Sequence, residues 1–169
     1  SDIAQRLYLG ALISYPRTSS QKLPPSIGYR QILNGLKGQP AYAKLSSDLL
    51  ARKMLKPNEG KTDYSAHPAI YPTGNRPEAE LDVSERRIWD LIVRRFMAVF
   101  GEPAIKKSMN VSIHLDGHRF YLHGGRILFE GWIRFYKPYV RSGEVLLPPV
   151  KEGERVDVLD VVCEDKFTM

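Results

Sequence analysis

The residues with the greatest chemical potential sit in one octapeptide, Ile13-Ser14-Tyr15-Pro16-Arg17-Thr18-Ser19-Ser20. Pro16 disfavours helix at Tyr15 and pushes it towards extended geometry. In extended backbone Tyr15 and Arg17, two residues apart, leave the same face of the chain. A free tyrosine titrates near pKa of about 10 and is a weak nucleophile at neutral pH. A neighbouring cation favours the phenolate, and a guanidinium binds two phosphate oxygens at once. The pair therefore suits a nucleophile with its own phosphate clamp, and Thr18, Ser19 and Ser20 add hydroxyl donors for adjoining phosphates. The same residue types also suit a strand entering the core, with Tyr15 packed and Arg17 on the surface. Residue types alone leave both open.

A second candidate is His67, in Ala66-His67-Pro68-Ala69-Ile70-Tyr71-Pro72-Thr73. It could donate to a phosphate or assist proton transfer, or be merely solvated. His114, His118 and His123 match no zinc spacing, and no metal site is expected in the chain. Arg86, Arg87, Arg94 and Arg95 read as the solvated face of a helix, with a DNA-facing stripe as the rival reading. Asp157, Asp160, Glu164 and Asp165 read as a solvated strand edge rather than a magnesium site. There is no glycine-rich nucleotide loop and no persuasive Ser/His/Asp order.

The elements that must position these residues divide into two kinds. Ser1 can cap a helix from Asp2 to about Leu12, with Ile3, Leu7, Ala11 and Leu12 on one face. Pro24-Pro25-Ser26 opens a second helix that uses Ile27, Ile32, Leu33 and Leu36 and ends near Gly38. A third is expected over 41–53. A polar loop spans 56–65, and 66–76, with two prolines and Gly74, should be extended and irregular. Asp82 and Glu85 form a capping box for a helix reaching Phe100, stopped by Gly101 and Pro103. The period then changes from 3.6 to 2. Met109, Val111, Ile113 and Leu115 alternate with polar residues, Asp116-Gly117 signals a hairpin turn, and Phe120 and Leu122 begin the return strand. Gly124-Gly125 is expected to turn again, and Ile127 to Phe135 to form a longer strand kinked at Gly131. Val156, Val158, Val161 and Val162 suggest a further strand.

The composition narrows the partners. The 169 residues carry a net charge of +6 and are 43% apolar, enough for a packed core and too apolar for a disordered tail. No apolar run approaches a membrane span, SDIAQRLYLG does not read as a secretory signal, and the single Cys163 excludes a disulfide framework. A soluble, cytoplasmic protein is expected. Residues 1–61 hold 10 basic and 3 acidic side chains, whereas 101–169 hold 10 of each. A basic surplus confined to one segment suggests a polyanion, commonly nucleic acid; a lysine-rich surface for solubility would give the same charge.

Ala4-Gln5-Arg6-Leu7-Tyr8 and Leu12-Ile13-Ser14-Tyr15-Pro16-Arg17-Thr18, followed by Ser20, closely resemble the active-site region of type IA DNA topoisomerases. His67-Pro68-Ala69-Ile70-x-Pro72-Thr73 resembles a second motif of that family, and Arg94-Arg95-Phe96 a third. Gly125 to Gly131-Trp132 and Leu147-Pro148-Pro149-x-x-x-Gly153 resemble the strand segments that follow. Ser19, where bacterial members usually carry an acidic residue, makes the wording more similar to the archaeal or topoisomerase III branch.

The resemblance implies that Tyr15 attacks one DNA strand and becomes joined to its 5′ phosphate. It implies that Arg17 stabilises the scissile phosphate and that His67 contacts the nearby backbone. Thr18, Ser20 and Lys22 are counted with His67 as DNA-binding residues. It implies an α+β chain. Residues 1–102 would form a mainly helical, winged-helix-like domain, and 103–169 part of an antiparallel β arch hinging a strand-passage gate. The family's Mg²⁺ would be held mainly by an N-terminal metal-binding domain absent from these residues. Single-stranded DNA and that domain are the expected partners, with no membrane, in a nucleoid-associated protein. The chain alone would then bind single-stranded DNA weakly without cleaving it. The topoisomerase module of a reverse gyrase, and a non-catalytic winged-helix DNA-binding module, are the rival readings.

Overall fold

A computed structural model describes residues 2–64, 66–140 and 143–163. Among these the architecture is mixed α+β: five helices and one two-stranded antiparallel sheet. In chain order they are α1 (Asp2–Leu9), α2 (Tyr29–Lys37), α3 (Ala43–Leu50), α4 (Val83–Ala98), β1 (Ile105–Leu115), β2 (His118–Phe129) and α5 (Ile133–Tyr136). No helix among the described residues is long and apolar enough to cross a membrane.

The four longer helices pack through the stripes their sequences carry. Leu7 of α1, Ile32, Leu33 and Leu36 of α2, Leu49 of α3, and Trp89, Val93, Phe96 and Met97 of α4 share one buried cluster. Phe135 of α5 is fully buried in it as well, so the chain returns to the helical core after the hairpin. The capping box at α4 is as expected: Asp82 accepts from the Glu85 N–H at 2.8 Å, and Glu85 accepts from the Asp82 N–H at 3.1 Å. Arg6 ties α1 to this cap, pairing with Glu85 at 2.6 Å and Asp82 at 3.3 Å. Arg30 of α2 donates to the carbonyls of Leu50 and Lys53 at 3.0 and 3.2 Å, capping the end of α3.

Asp90 is the polar node between α4 and the segment after α5. It accepts from Tyr42 at 3.1 Å, from Tyr139 at 2.7 Å, and from the Arg94 Nε at 2.9 Å. Burial, followed by the hydrogen bond and negative charge of Asp90, pushes the Tyr139 phenol up to about 12. Burial and the same carboxylate raise Tyr42 further.

Several boundaries differ from the pattern in the sequence. Helix α1 ends at Leu9 rather than near Leu12, and α3 is shorter than 41–53. The second helix is divided: a 3₁₀ turn over Pro25–Ile27 precedes α2, with Gly28 between them at φ 76°. The Asp116-Gly117 hairpin turn is confirmed, both residues having positive φ, 47° and 81°. Gly124 and Gly125, by contrast, do not turn; they lie inside β2. Their bare backbone is used as a landing surface, where the Gly125 N–H donates to Val145 at 2.9 Å and Leu147 occupies the space a Gly124 side chain would need. The strand expected from Ile127 to Phe135 stops at Phe129. The chain turns at Gly131, the Trp132 N–H donates to Glu102 at 2.8 Å, and Ile133–Tyr136 is helical. Val156 to Val162 form no strand and are exposed, because no neighbouring strand in the described residues offers them a ladder. Asp157 and Asp160 are exposed there; the Ser1 cap, Glu164 and Asp165 lie outside the described residues.

One close approach positions the site. A side chain on Gly35 of α2 would collide with the Gly74 carbonyl, and one on Gly74 (φ 91°) would collide with the Ile32 carbonyl. The segment ending at Gly74 therefore lies directly on the helix backbone. Gly35→Ala should lower stability by about 1–3 kcal/mol, read by urea unfolding with wild type as reference. A second check is alkaline. A phenol kept protonated when folded loses its stabilising effect as pH rises from about 10, where an unfolded tyrosine ionises, through the raised value of Tyr139. Tyr139→Phe should lose less stability than wild type across that window in thermal melts.

Candidate functional site

Helix α1 ends in a Schellman turn. The Leu12 N–H donates to Leu7 at 3.0 Å and the Ala11 N–H to Tyr8 at 2.9 Å, with Ala11 at φ 53° in the left-handed position usually taken by glycine. Leu7 and Leu12, both buried, make the apolar contact that accompanies this motif. The turn reverses the chain and sends Ile13 to Tyr15 out across the segment 67–75. Ile13 pairs antiparallel with Pro72.

Proline leaves this pairing short of donors, and side chains supply them. The Ser14 N–H donates to the Tyr71 carbonyl at 2.9 Å, and the Tyr71 N–H returns to the Ser14 hydroxyl at 3.0 Å. The Thr73 N–H donates to Leu12 at 3.0 Å, and its hydroxyl to Ala11 at 2.7 Å. Asn75 donates to the same Ala11 carbonyl at 2.9 Å, which fixes the strained residue in place. Further along, the Thr18 hydroxyl donates to the His67 carbonyl at 3.1 Å, and the Ala69 N–H to Lys22 at 2.8 Å.

This lacing brings Tyr15 and His67 together. Their rings are 4.7 Å apart at a tilt of 48°. Tyr8, from the last turn of α1, meets the other ring edge-on at 5.5 Å and 75°. Arg17 is exposed and, among the described residues, makes no ion pair or hydrogen bond. The Tyr15 phenol likewise has no hydrogen-bond partner among them. Thr18 gives its proton to His67 and accepts from the Ser20 N–H at 3.0 Å. Ser20 is buried, its oxygen accepting from the Lys22 N–H at 3.2 Å. Lys22 pairs with Glu59 at 3.8 Å.

A concavity of about 720 Å³ opens beside Tyr15 and His67, with Tyr8 and Tyr71 in its wall. Tyr8, Tyr71 and Ala11 were not among the candidates from sequence. Tyr8 stands seven residues before Tyr15, but the left-handed turn that folds it back on Tyr15 occurs at an alanine and carries no glycine signal. The wall offers phenols, hydroxyls and an imidazole but no carboxylate. Among the described residues no three His, Cys, Asp or Glu side chains are grouped to hold a metal. This donor set does not fit Mg²⁺, which prefers carboxylate oxygens. The rival reading of the α4 arginines is also resolved in part: Arg94 is held by Asp90, and Arg95 lies 5.5 Å over the Tyr136 ring.

The whole chain, residues 1–169, matches a family model described as DNA topoisomerase. The chain is 48% identical over 168 residues to DNA topoisomerase 1 of Pyrococcus horikoshii. The chain belongs to the type IA DNA topoisomerase family. It is also similar to DNA topoisomerase 1 of Pyrococcus furiosus, with 47% identity over 92% of this chain, and of Methanothermobacter thermautotrophicus, with 42% over 98%. These alignments cover 24%, 15% and 23% of the three relatives, so the chain spans about a quarter of their length or less. Within this topoisomerase chain, Thr73 is the residue on which both sides of the lacing meet. Thr73→Val keeps its shape and removes the bond to Ala11. It should cost about 1 kcal/mol and raise hydrogen exchange at the amides of Ser14 and Tyr71 more than at α4.

Proposed function

We propose that this chain carries the nucleophile of a type IA topoisomerase, with Tyr15 attacking one strand of DNA. The Tyr15 oxygen bonds to phosphorus, the bond from phosphorus to the 3′-oxygen breaks, and that oxygen leaves as a hydroxyl. The 5′ phosphate is then held on the tyrosine. The phosphodiester's free energy is retained in the phosphotyrosine ester, so attack by the same 3′-hydroxyl reseals the strand without a nucleotide cofactor. Passage of another strand through the break would relax negative supercoils.

The observation that carries this reading is the convergence of Tyr15 and His67, with Arg17 two residues on, exposed and without an ion pair among the described residues. The guanidinium is free to take two phosphate oxygens and to stabilise the charge that grows on them. His67 would donate to the adjoining phosphate. Thr18 and Ser20 act first on the loop itself, bonding along the backbone from Thr18 to Lys22, and Lys22 would reach a phosphate only by leaving its pair with Glu59. Mg²⁺ would neutralise phosphate charge from residues outside this chain, in a metal-binding domain that completes the site. Residues 1–102 would be the winged-helix-like, tyrosine-bearing domain and 103–169 part of the β arch of the gate, in a nucleoid-associated enzyme.

The chain by itself should therefore bind single-stranded DNA and not cut it. Incubation with a labelled single-stranded oligonucleotide and Mg²⁺ should shift its anisotropy and leave no protein-linked label after denaturation. A covalent adduct would overturn the inactivity of the isolated chain. In the full-length enzyme, Tyr15→Phe should abolish adduct formation while binding persists, and Arg17→Ala should slow it by about 10²–10³-fold. Cleavage surviving Tyr15→Phe would leave only a binding module.

A further inference from the structure

The concavity beside Tyr15 has a chemistry that strand transfer does not use. Its wall is built from the rings of Tyr8, Tyr15, Tyr71 and His67, with Leu9 and Pro68 adding carbon. The aliphatic hydroxyls that line it are engaged in the lacing: Ser14 accepts from the Tyr71 N–H, and Thr73 donates to Ala11. What faces the space is π surface and hydrocarbon, edged by the phenol hydroxyls of Tyr8 and Tyr15, which have no hydrogen-bond partner among the described residues. No acidic side chain lines it. Arg17, exposed, follows Tyr15 by two residues in the segment 1–61, which holds 10 basic against 3 acidic residues. Tyr8 is 37% exposed, and its phenol has no hydrogen bond among the described residues. Burial in the helical core does not explain a tyrosine there, since Leu7 is the residue that α1 buries.

We infer that this concavity is a nucleobase slot, with Tyr8 as the stacking platform for a base next to the phosphate that Arg17 holds. This deepens the reading above and rests on it. A flat aromatic ligand attached to an anionic backbone matches both the ring-lined wall and the basic surplus of the segment 1–61. Because stacking on the rings is the main contact, the slot favours any base over none and discriminates little among the four. A base seated there also limits rotation of the strand about the phosphate, so the slot helps aim phosphorus at the Tyr15 oxygen.

The test needs no cleavage. Affinities of this chain are measured by anisotropy for an eight-residue oligothymidylate, dT8, and for an eight-unit abasic deoxyribose-phosphate oligomer of equal charge. Wild type should prefer dT8 by roughly tenfold, the order expected for one stacked base. Tyr8→Phe should keep the preference, and Tyr8→Leu should reduce the ratio towards one. A circular-dichroism melt verifies that each variant is folded. An unchanged ratio in folded Tyr8→Leu overturns the slot while leaving DNA binding intact. If wild type binds dT8 and the abasic oligomer alike, the slot is likewise overturned, and its occupant is then a protein segment or nothing. Failure of wild type to bind either oligomer overturns the DNA-binding reading itself. Should Tyr8→Leu not fold, photocrosslinking of wild type to a 5-iododeoxyuridine oligonucleotide decides: an adduct on Tyr8 supports the slot, and adducts only elsewhere overturn it.

Discussion

The arrangement around Tyr15 depends on the hydrogen-bonded lacing between residues 11–22 and 67–75. Neither segment is a regular strand, and Ile13 with Pro72 is their single bridge. Pro16, Pro68 and Pro72 have no N–H to give, so a full ladder cannot form between them. The Thr18 and Thr73 hydroxyls donate where prolines cannot, and the Ser14 hydroxyl accepts from the Tyr71 N–H. A ring-to-ring distance of 4.7 Å between residues more than fifty apart in sequence follows from those bonds rather than from a sheet or a helix. The pair is then fixed to the helical body by the backbone contact of Gly74 with α2, where a methyl group on either glycine would intrude.

The charges are distributed with a consistent logic. Arg6, Arg52, Arg86, Arg94 and Arg134 are each paired with a carboxylate inside the chain. Exposed pairs of this kind contribute little to stability, about 0–1 kcal/mol each. Arg17, two residues after Tyr15, is exposed and has no such pair among the described residues.

How much of this was legible in the sequence differs by element. Helix α4 was, because Asp82, Glu85 and the apolar stripe state its start and its buried face locally. The hairpin was legible from Asp116-Gly117 and strict alternation. Gly124-Gly125 misled because a glycine pair signals a turn as readily as a bare strand surface, and only the arrival of Val145 and Leu147 separates the two. Phe135 was misplaced in a strand because a buried aromatic suits either period until the return to α4 is known. At the site, Tyr15, Arg17 and His67 stood out by type and motif. Tyr8 fell within a motif but was given no place at the site, since that place arises from a left-handed turn at Ala11 that residue propensities argue against.

The hairpin has a mechanical consequence. Eleven paired residues at about 3.3 Å each make an arm of roughly 35 Å, and both of its feet are fixed at one place. Glu102, just before β1, accepts from Trp132, just after β2, and Phe135 is lodged against the α4 core immediately beyond. The hairpin therefore joins the helical body at one base, where Phe135 packs in the same core as α4. Arg6 of α1 pairs with Glu85 of α4, and Tyr8 lies in the last turn of α1. The base of an arm of roughly 35 Å and the aromatic cluster around Tyr15 are thus joined by a short run of packed helices, α4 to α1, rather than by a loop.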